Sequence, residues 1–437
     1  MGASDVSTAR PLGVGLLGLG VVGSAVAAGL MAGRGELAGE GARPLVLRKA
    51  LVRDLRRKRT VDLDPGVLTT DPAAVLDDPS VDVVVEVMGG EQPAFDYISR
   101  AIRGGKHVVT ANKEVLCKRG DELFTLAAEH GVRLLHEASV GGGIPIVGPL
   151  SSDLLANRIE SIRAIINGTT NYILTKMAAQ GAGFDQVLEE AKKLGYAEAD
   201  PTSDVDGWDA AYKIAVLARV AFGVSVPLDA VHREGIRGLE AQEFRYAATL
   251  GYTIKLLAVA RREQGGLLVR VHPALIPSSV PMAKVDGVLN VVEVEGDLVG
   301  PLWLQGRGAG PDATASAVLG DLLRIARGAE IRKNVAAARS ADRLKLVSID
   351  DHECKYYFRL VCKDRPGVLA QIAGILGKLQ ISIASVIQMD ANAERGEADL
   401  VIMTHPSLER NVQKAVREIA ALQVVARVAS VLRVEAY

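Results

Sequence analysis

At 437 residues the chain exceeds what one hydrophobic core accommodates, so two or three domains are expected. A composition of 49% hydrophobic and 24% charged residues with a formal charge of −1 fits a soluble globular protein, and excludes nucleic acid and membrane surfaces as charge-driven partners. The three cysteines, Cys117, Cys354 and Cys362, match no zinc or redox spacing, which points to a reducing cytoplasm without disulfides.

Residues 11–33 are uncharged and follow Arg10, a pattern shared with signal peptides and membrane spans. Seven glycines in that stretch make a poor membrane helix, and a strand, a turn and a helix account for it better. Apolar runs at 12–17, 45–52, 81–87, 107–110 and 133–137 predict strands, with helices at 23–32 and 120–130 between them. The run VDVVVEV lacks polar alternation, as expected of a parallel strand covered on both faces. Alternating strands and helices predict an α/β fold with a Rossmann-type doubly wound parallel sheet over 11–138.

The turn GLGVVG occupies 18–23 of this unit. In such a turn Gly18 allows the sharp bend, Gly20 lets backbone approach a pyrophosphate, and Gly23 lets helix pack on strand. The helix that follows then aims its N-terminal amides at the phosphates, and Val21 and Val22 of the turn join the cofactor set. The spacing alone is a weak signal; the apolar strand before it and the alanine-rich helix after it give it weight. The second strand, LVLRKALV, meets Arg53 rather than an acidic residue. Arg53, Arg56, Arg57, Lys58 and Arg59 read either as a solvated run or as a cradle for a 2′-phosphate. Their place at the end of this strand favours NADP, while Asp54 leaves NAD open. TANK (110–113) follows a buried strand at the carboxyl edge, where ligands of such sheets bind, although Lys113 also reads as an ordinary helix-start lysine.

The segment 139–305 is expected to mix helices with more polar strands and to form an α+β substrate and dimerisation domain. From Trp208 it reads as a largely apolar helix whose early charges are Asp209 and Lys213, one turn apart. Such a pair is ordinarily a surface salt bridge. Here the helix has little polar surface, so a partly buried ammonium held by a carboxylate is the alternative, and that pair can move protons. Glu198, Asp204 and Asp206 lie just upstream and suit a cationic amine, with helix capping the other reading for Asp206. Residues 306–326 form a glycine-rich turn and a helix able to return to the first domain, which would then comprise 11–138 plus 306–345. A charged connector is expected at 328–353. The remainder reads strand 356–362, helix 367–379, strands 381–389 and 398–404, helix 408–422 and strand 424–434, a ferredoxin-like βαββαβ unit over 354–437.

Together, GLGVVG, VRD (52–54), TANKE (110–114), NGTTNYIL (167–174) and GYAEADPTSDVDGWDAAYK (195–213) resemble homoserine dehydrogenase, in order, over residues 12–325. The βαββαβ unit, with DRPGVLAQIAGIL at 364–376, resembles an ACT domain. The resemblance implies NAD(P)-linked interconversion of L-homoserine and L-aspartate 4-semialdehyde, in threonine, methionine and isoleucine biosynthesis. It implies Lys213 as the proton-transferring group, with Asp209 orienting it and touching substrate. Lys113 stands beside nicotinamide and substrate with an open share in proton transfer. Glu198 would bind the substrate amine, alongside Asp204, Gly168, Thr169 and Tyr196. Gly89, Thr110 and Gly310 complete the cofactor set. A monovalent cation, sodium, is implied at EASVGGGIP (137–145), with Glu137, Val140, Gly142 and Ile144 as its ligands. The same three glycines read equally as a tight turn. Threonine is the implied effector, at Asp364, Gly367 and Val368 on a helix N-terminus, and a homodimer or homotetramer is expected. Deleting residues from about 350 onward is expected to leave turnover and abolish inhibition.

Two rivals are weaker. A 2-hydroxy-acid dehydrogenase would need a catalytic histidine, but His107 and His136 lie within strand-like runs. A non-catalytic NADP and amino-acid sensor would not need Lys113, Glu198, Asp209 and Lys213 together.

Overall fold

The computed structural model describes residues 10–35, 39, 42–328, 344–392 and 394–437. Most of the expected connector, 329–343, lies outside the described residues. The chain forms two compact units: Met1–Ile162 with Tyr212–Leu228 and Asn290–Leu344, and Arg163–Ala211 with Asp229–Leu289 and Lys345–Tyr437.

The first unit holds six parallel strands: β1 (Leu12–Leu17), β2 (Leu45–Leu51), β3 (Leu68–Thr69), β4 (Val83–Glu86), β5 (His107–Thr110) and β6 (Leu134–Leu135). They lie in the order β3-β2-β1-β4-β5-β6. Chain direction along the sheet reverses between β1 and β4, which opens a crevice beyond their carboxyl ends. β1 and β4 are buried at every position, as their unbroken apolar runs require. β4 and β6 are shorter than the runs 81–87 and 133–137, because apolarity reports burial whereas a strand ends where its partner does. The helix expected at 120–130 instead spans Lys113–Glu129, its charged first turn having masked the start.

Val26, Ala27 and Leu30 of helix Val21–Met31 pack on Val14, Leu16, Val83 and Val85, and with them pack Val318, Leu319 and Leu322 of helix Pro311–Ala326. Gly29 makes this possible, since a Cβ there would lie 2.6 Å from a Leu319 methyl. The helix after the second glycine-rich turn therefore does return to the sheet.

The second unit departs from expectation at its strands. Tyr252–Glu263 and Gly266–Pro277 form an antiparallel hairpin of two twelve-residue strands, and all but the last residue of the second strand is buried. These strands carry polar side chains, as expected, yet Lys255, Arg270 and His272 are buried. Their partners are internal: Arg270 pairs with Glu435 at 2.9 Å and reaches His272 Nε2 at 2.7 Å, with its Nε buried and unpartnered, and Lys255 donates to the Val285 carbonyl at 2.7 Å.

Strands Glu353–Lys363, Ile383–Asn392, Glu397–Thr404 and Val425–Val434 form an antiparallel sheet in the order fourth, first, third, second. Helices Val368–Lys378 and Glu409–Ala420 complete the βαββαβ unit. Its core is Tyr356, Phe358, Leu360, Ile372, Leu376, Ile402, Val412 and Ile419. The last strand also pairs in parallel with the hairpin, at Ala274 with Arg433 and Leu275 with Val434. Arg359 is buried against Glu243 at 2.6 Å, Glu240 at 2.5 Å and Asp399 at 3.2 Å. The region past 350 is thus part of this unit's interior rather than a detachable module. Deleting it would strip Arg270 and Glu243 of buried partners, so the expected clean truncation does not follow.

Among the described residues no helix is long and apolar enough to cross a membrane. The three cysteines are free thiols, each pushed up to about 11 by burial, and are therefore inert near neutral pH.

Candidate active site

The three glycines of GLGVVG divide the work as their spacing predicts. Gly18 has φ +101°, in the region that glycine favours. A Cβ at Gly23 would sit 2.1 Å from the Gly18 carbonyl, so only hydrogen lets the helix close on the turn. At Gly20 a Cβ would meet nothing within 4 Å. That open face adjoins the helix N-terminus at Val21, whose side chain is exposed. Room, free amides and the helix dipole together suit a dinucleotide pyrophosphate.

Past the end of β2, Arg53 and Lys58 are both exposed. Arg59 behaves differently: its guanidinium folds back to donate to the carbonyls of Arg57 at 2.7 Å and Asp54 at 2.5 Å, bracing the turn. Asp54 accepts from the Arg56 N–H at 2.8 Å. The basic run therefore splits into one structural arginine and outward cations available to a phosphate.

At the ends of β4 and β5 stands a residue that sequence reasoning missed. Glu86 is fully buried and lies in register with Thr110. Its carboxylate accepts from the Thr110 hydroxyl at 2.6 Å and from the main-chain N–H groups of Met88 at 2.8 Å and Gly89 at 3.3 Å. Burial pushes its pKa up, and these donors oppose that shift. Asn112 donates to the Gly90 carbonyl at 2.7 Å and caps helix Lys113–Glu129 by accepting from the Val115 N–H at 3.1 Å. Lys113, half-buried, opens that helix. The signal in the sequence was an acid closing the apolar run VVV.

The 137–145 loop is built around Glu137. Its carboxylate accepts from the N–H groups of Ile146, Val147 and Gly148 at 2.7, 2.8 and 2.6 Å, and pairs with Arg324 at 3.2 Å. The side chain is thereby committed, so a cation at this loop would draw on main-chain oxygens instead. Val140, Gly142 and Ile144 are buried, and Gly142 has φ +55°. Among the described residues no cluster of His, Cys, Asp or Glu has the arrangement of a metal site. At the other glycine-rich turn, Gly310 has φ +114° and open space at its Cβ, immediately ahead of helix Pro311–Ala326.

In the second unit two motifs distant in sequence are brought together. Asn167 donates to Asp204 at 2.7 Å and to Asp209 at 2.9 Å, and its oxygen caps helix Gly168–Gln180 through the Thr170 N–H at 2.8 Å. Thr169 donates to the Tyr196 carbonyl at 2.7 Å, and the Tyr196 ring rests 4.9 Å from that of Tyr172. Gly168 packs closely here, as a Cβ would come 3.0 Å from the Val288 carbonyl. Glu198 is exposed on the same loop. Asp206 pairs with Arg237 at 2.6 Å, which favours its structural reading. Helix Trp208–Phe222, whose residues from Tyr212 onward belong to the first unit, carries Asp209, which is buried, and Lys213 one turn on, half-buried. Lys255 and Asn171 brace the motif from behind, Asn171 donating to the carbonyls of Val285 and Leu289 at 3.0 Å each.

Family models match over most of the chain: homoserine dehydrogenase, NAD binding domain, at residues 18–137; homoserine dehydrogenase at 145–323; and ACT domain at 356–423. A homoserine dehydrogenase of Synechocystis sp. is 43% identical, covering 96% of this chain and 99% of its own. The chain belongs to the homoserine dehydrogenase family. The crystal structure of a homoserine dehydrogenase from Thiobacillus denitrificans superposes with a TM-score of 0.91 at 43% identity, covering 98% of both chains. A hyperthermophilic archaeal homoserine dehydrogenase in complex with NADPH matches with a TM-score of 0.61 at 28% identity, over 72% of this chain and 97% of that one.

The ACT domain of this family member presents Asp364 and Gly367 at its surface, with Val368 buried beneath them. Gly367 has φ +86° and precedes helix Val368–Lys378. Asp364 accepts from Gln388 at 3.2 Å.

Proposed function

We propose that the chain catalyses the reversible NAD(P)-linked interconversion of L-homoserine and L-aspartate 4-semialdehyde in threonine, methionine and isoleucine biosynthesis, with NADP favoured. The carrying observation is the carboxylate pair Asp204 and Asp209 on the Asn167 amide, with Lys213 one helical turn beyond Asp209. Asp204 and Glu198 supply negative charge for the substrate ammonium, and Gly168, Thr169 and Tyr196 shape the surroundings. Asp209 orients Lys213, which takes the hydroxyl proton as homoserine is oxidised and returns it in the reverse direction. Lys113 is the second candidate for that proton, and the Lys213→Ala comparison decides between the two.

Gly18, Gly20, Val21, Val22, Gly23, Gly89, Thr110 and Gly310 would hold the dinucleotide, and Arg53 and Lys58 its 2′-phosphate. The nicotinamide, when bound, supplies the hydride acceptor or donor for substrate C4. A sodium ion would be held by main-chain oxygens at Glu137, Val140, Gly142 and Ile144, outside the chemical steps. Threonine would act at Asp364, Gly367 and Val368, in a homodimer or homotetramer.

The test is homoserine oxidation with NADP and NAD side by side, with and without threonine, for wild type and Lys213→Ala. Loss of about 10²-fold or more in kcat is expected for the variant. Equal rates would end the assignment of Lys213. Inhibition by threonine that survives in Asp364→Ala would remove the effector site from the ACT surface.

A further inference from the structure

We propose that Glu86 is a positioning residue for the cofactor, tying the loop after β4 to the loop after β5 so that both present a fixed surface to the dinucleotide. The inference rests on the dehydrogenase reading above. Four groups from two loops converge on one carboxylate: the N–H groups of Met88 and Gly89, the Thr110 hydroxyl, and the Asn112 amide at 3.5 Å. All four are donors toward it. The Thr110 oxygen already accepts from the Asn112 N–H at 3.0 Å, so its proton is directed at Glu86. An ionised, acceptor-only carboxylate accepts from all four at once, whereas a neutral amide of the same shape accepts on one oxygen only.

The consequences reach further than the two loops. Asn112 anchors Gly90 and caps the helix that Lys113 opens, so the Glu86 network fixes where that lysine begins. On the other side, a Cβ at Gly18 would lie 3.2 Å from both the Met88 side chain and the Val87 carbonyl, so the 87–90 loop abuts the phosphate turn. Gly89 and Gly90 both have positive φ, at +77° and +75°, with nothing against Gly89 within 4 Å. A loop with this little side-chain packing needs another restraint, and the buried carboxylate provides it.

Glu86→Gln replaces one acceptor oxygen with a donor amide. Either the Met88 and Gly89 N–H groups then face a donor, or the Thr110 hydroxyl loses the acceptor for its proton. Expected is an NADPH dissociation constant raised about ten-fold and a lowered kcat, with the KM for homoserine within about two-fold of wild type. A purely structural role would reduce the folded fraction and leave these constants unchanged in what remains. Binding is read by NADPH fluorescence on the intact enzyme, beside steady-state kinetics and a thermal midpoint. Thr110→Val, which deletes the hydroxyl donor, should shift NADPH binding in the same direction, and Thr110→Ser should restore it. Wild-type NADPH affinity in Glu86→Gln, or in Thr110→Val should Glu86→Gln not fold, overturns the proposal. A wild-type enzyme that binds NADPH yet leaves homoserine untouched would instead end the dehydrogenase reading, with the binding comparison still judging Glu86.

Discussion

Asn167 holds Asp209 by a 2.9 Å hydrogen bond from the same amide nitrogen that serves Asp204 at 2.7 Å. A donor placed between two carboxylates lets both stay ionised near each other, and the amide oxygen meanwhile caps a helix. Asn167→Asp turns that donor into a third carboxylate, and kcat/KM for homoserine should fall by about 10²-fold or more. Asn167→Ala should cost about ten-fold in kcat/KM and, through the lost cap, about 1 kcal/mol of stability. Steady-state kinetics with urea unfolding separates the two effects. Near-wild-type kcat/KM in Asn167→Asp would show that the acid pair does not depend on this amide.

Asp321 predicts an unusual pH dependence of stability. Burial pushes its carboxyl up to about 7, against an opposing hydrogen bond from the Glu137 N–H at 2.8 Å. A carboxyl raised in the folded state favours folding most below its unfolded value of 3.8, and that contribution is lost as pH rises through about 7. The loss amounts to as much as roughly 4 kcal/mol at about 1.36 kcal/mol per unit. Asp321→Asn keeps an oxygen for the Glu137 N–H and gives up only the half-exposed pair with Arg324. The variant should melt higher than wild type above neutrality and no higher at mildly acidic pH. An unchanged slope of melting temperature against pH would remove Asp321 as its source.

The Arg359 cluster predicts the opposite trend at acid pH. Arg427 and Arg359 hold the Glu240 carboxyl down to about 2, from an unfolded value of 4.5. Stability from this group is present above 4.5 and is lost as pH falls toward 2. Arg359→Leu leaves the fully buried Glu243 without its guanidinium and should destabilise by about 3–5 kcal/mol at neutral pH. The deficit should narrow on acidification, because Glu240 freed of Arg359 takes up a proton more readily. Urea unfolding at neutral and acid pH measures both. A deficit independent of pH would assign the loss to packing alone.

What could be read from the sequence follows from how local each cause is. The Gly18, Gly20 and Gly23 turn, β1 and β5, and the order of the βαββαβ unit depend on neighbouring residues and were legible directly. Asp209 and Lys213 were legible as a pair because they share one helix. Asn167, Lys255 and Arg359 were not, since each acquires its role from residues dozens to over a hundred positions away. The same holds for the hairpin strands: Arg270 acquires its partner Glu435 only from the residue after the last strand. Glu86 was hidden for a further reason. Within VDVVVEV it reads as an interruption, and its meaning lies in two loops that the sheet alone makes adjacent.

Gly20 and Gly23 make the sharpest separation of folding from binding, because the same substitution should fail differently at the two sites. A methyl at Gly23 would be driven to 2.1 Å from the Gly18 carbonyl, a main-chain atom held by the N–H of Gly18 on the Leu51 carbonyl at 3.1 Å. Helix Val21–Met31 must then move off the sheet, and its Val26, Ala27 and Leu30 lose core contacts. Gly23→Ala is therefore expected to lower stability by several kcal/mol, of the order seen for overpacked cores. At Gly20 the methyl enters open space, so the fold should tolerate it, with a melting temperature near that of wild type. The space it fills is where backbone must approach the pyrophosphate, so NADPH affinity should fall by about ten-fold or more. Differential scanning calorimetry and NADPH fluorescence titration on both variants check the pair. Unimpaired NADPH binding by a well-folded Gly20→Ala would mean that the dinucleotide does not lie against this turn.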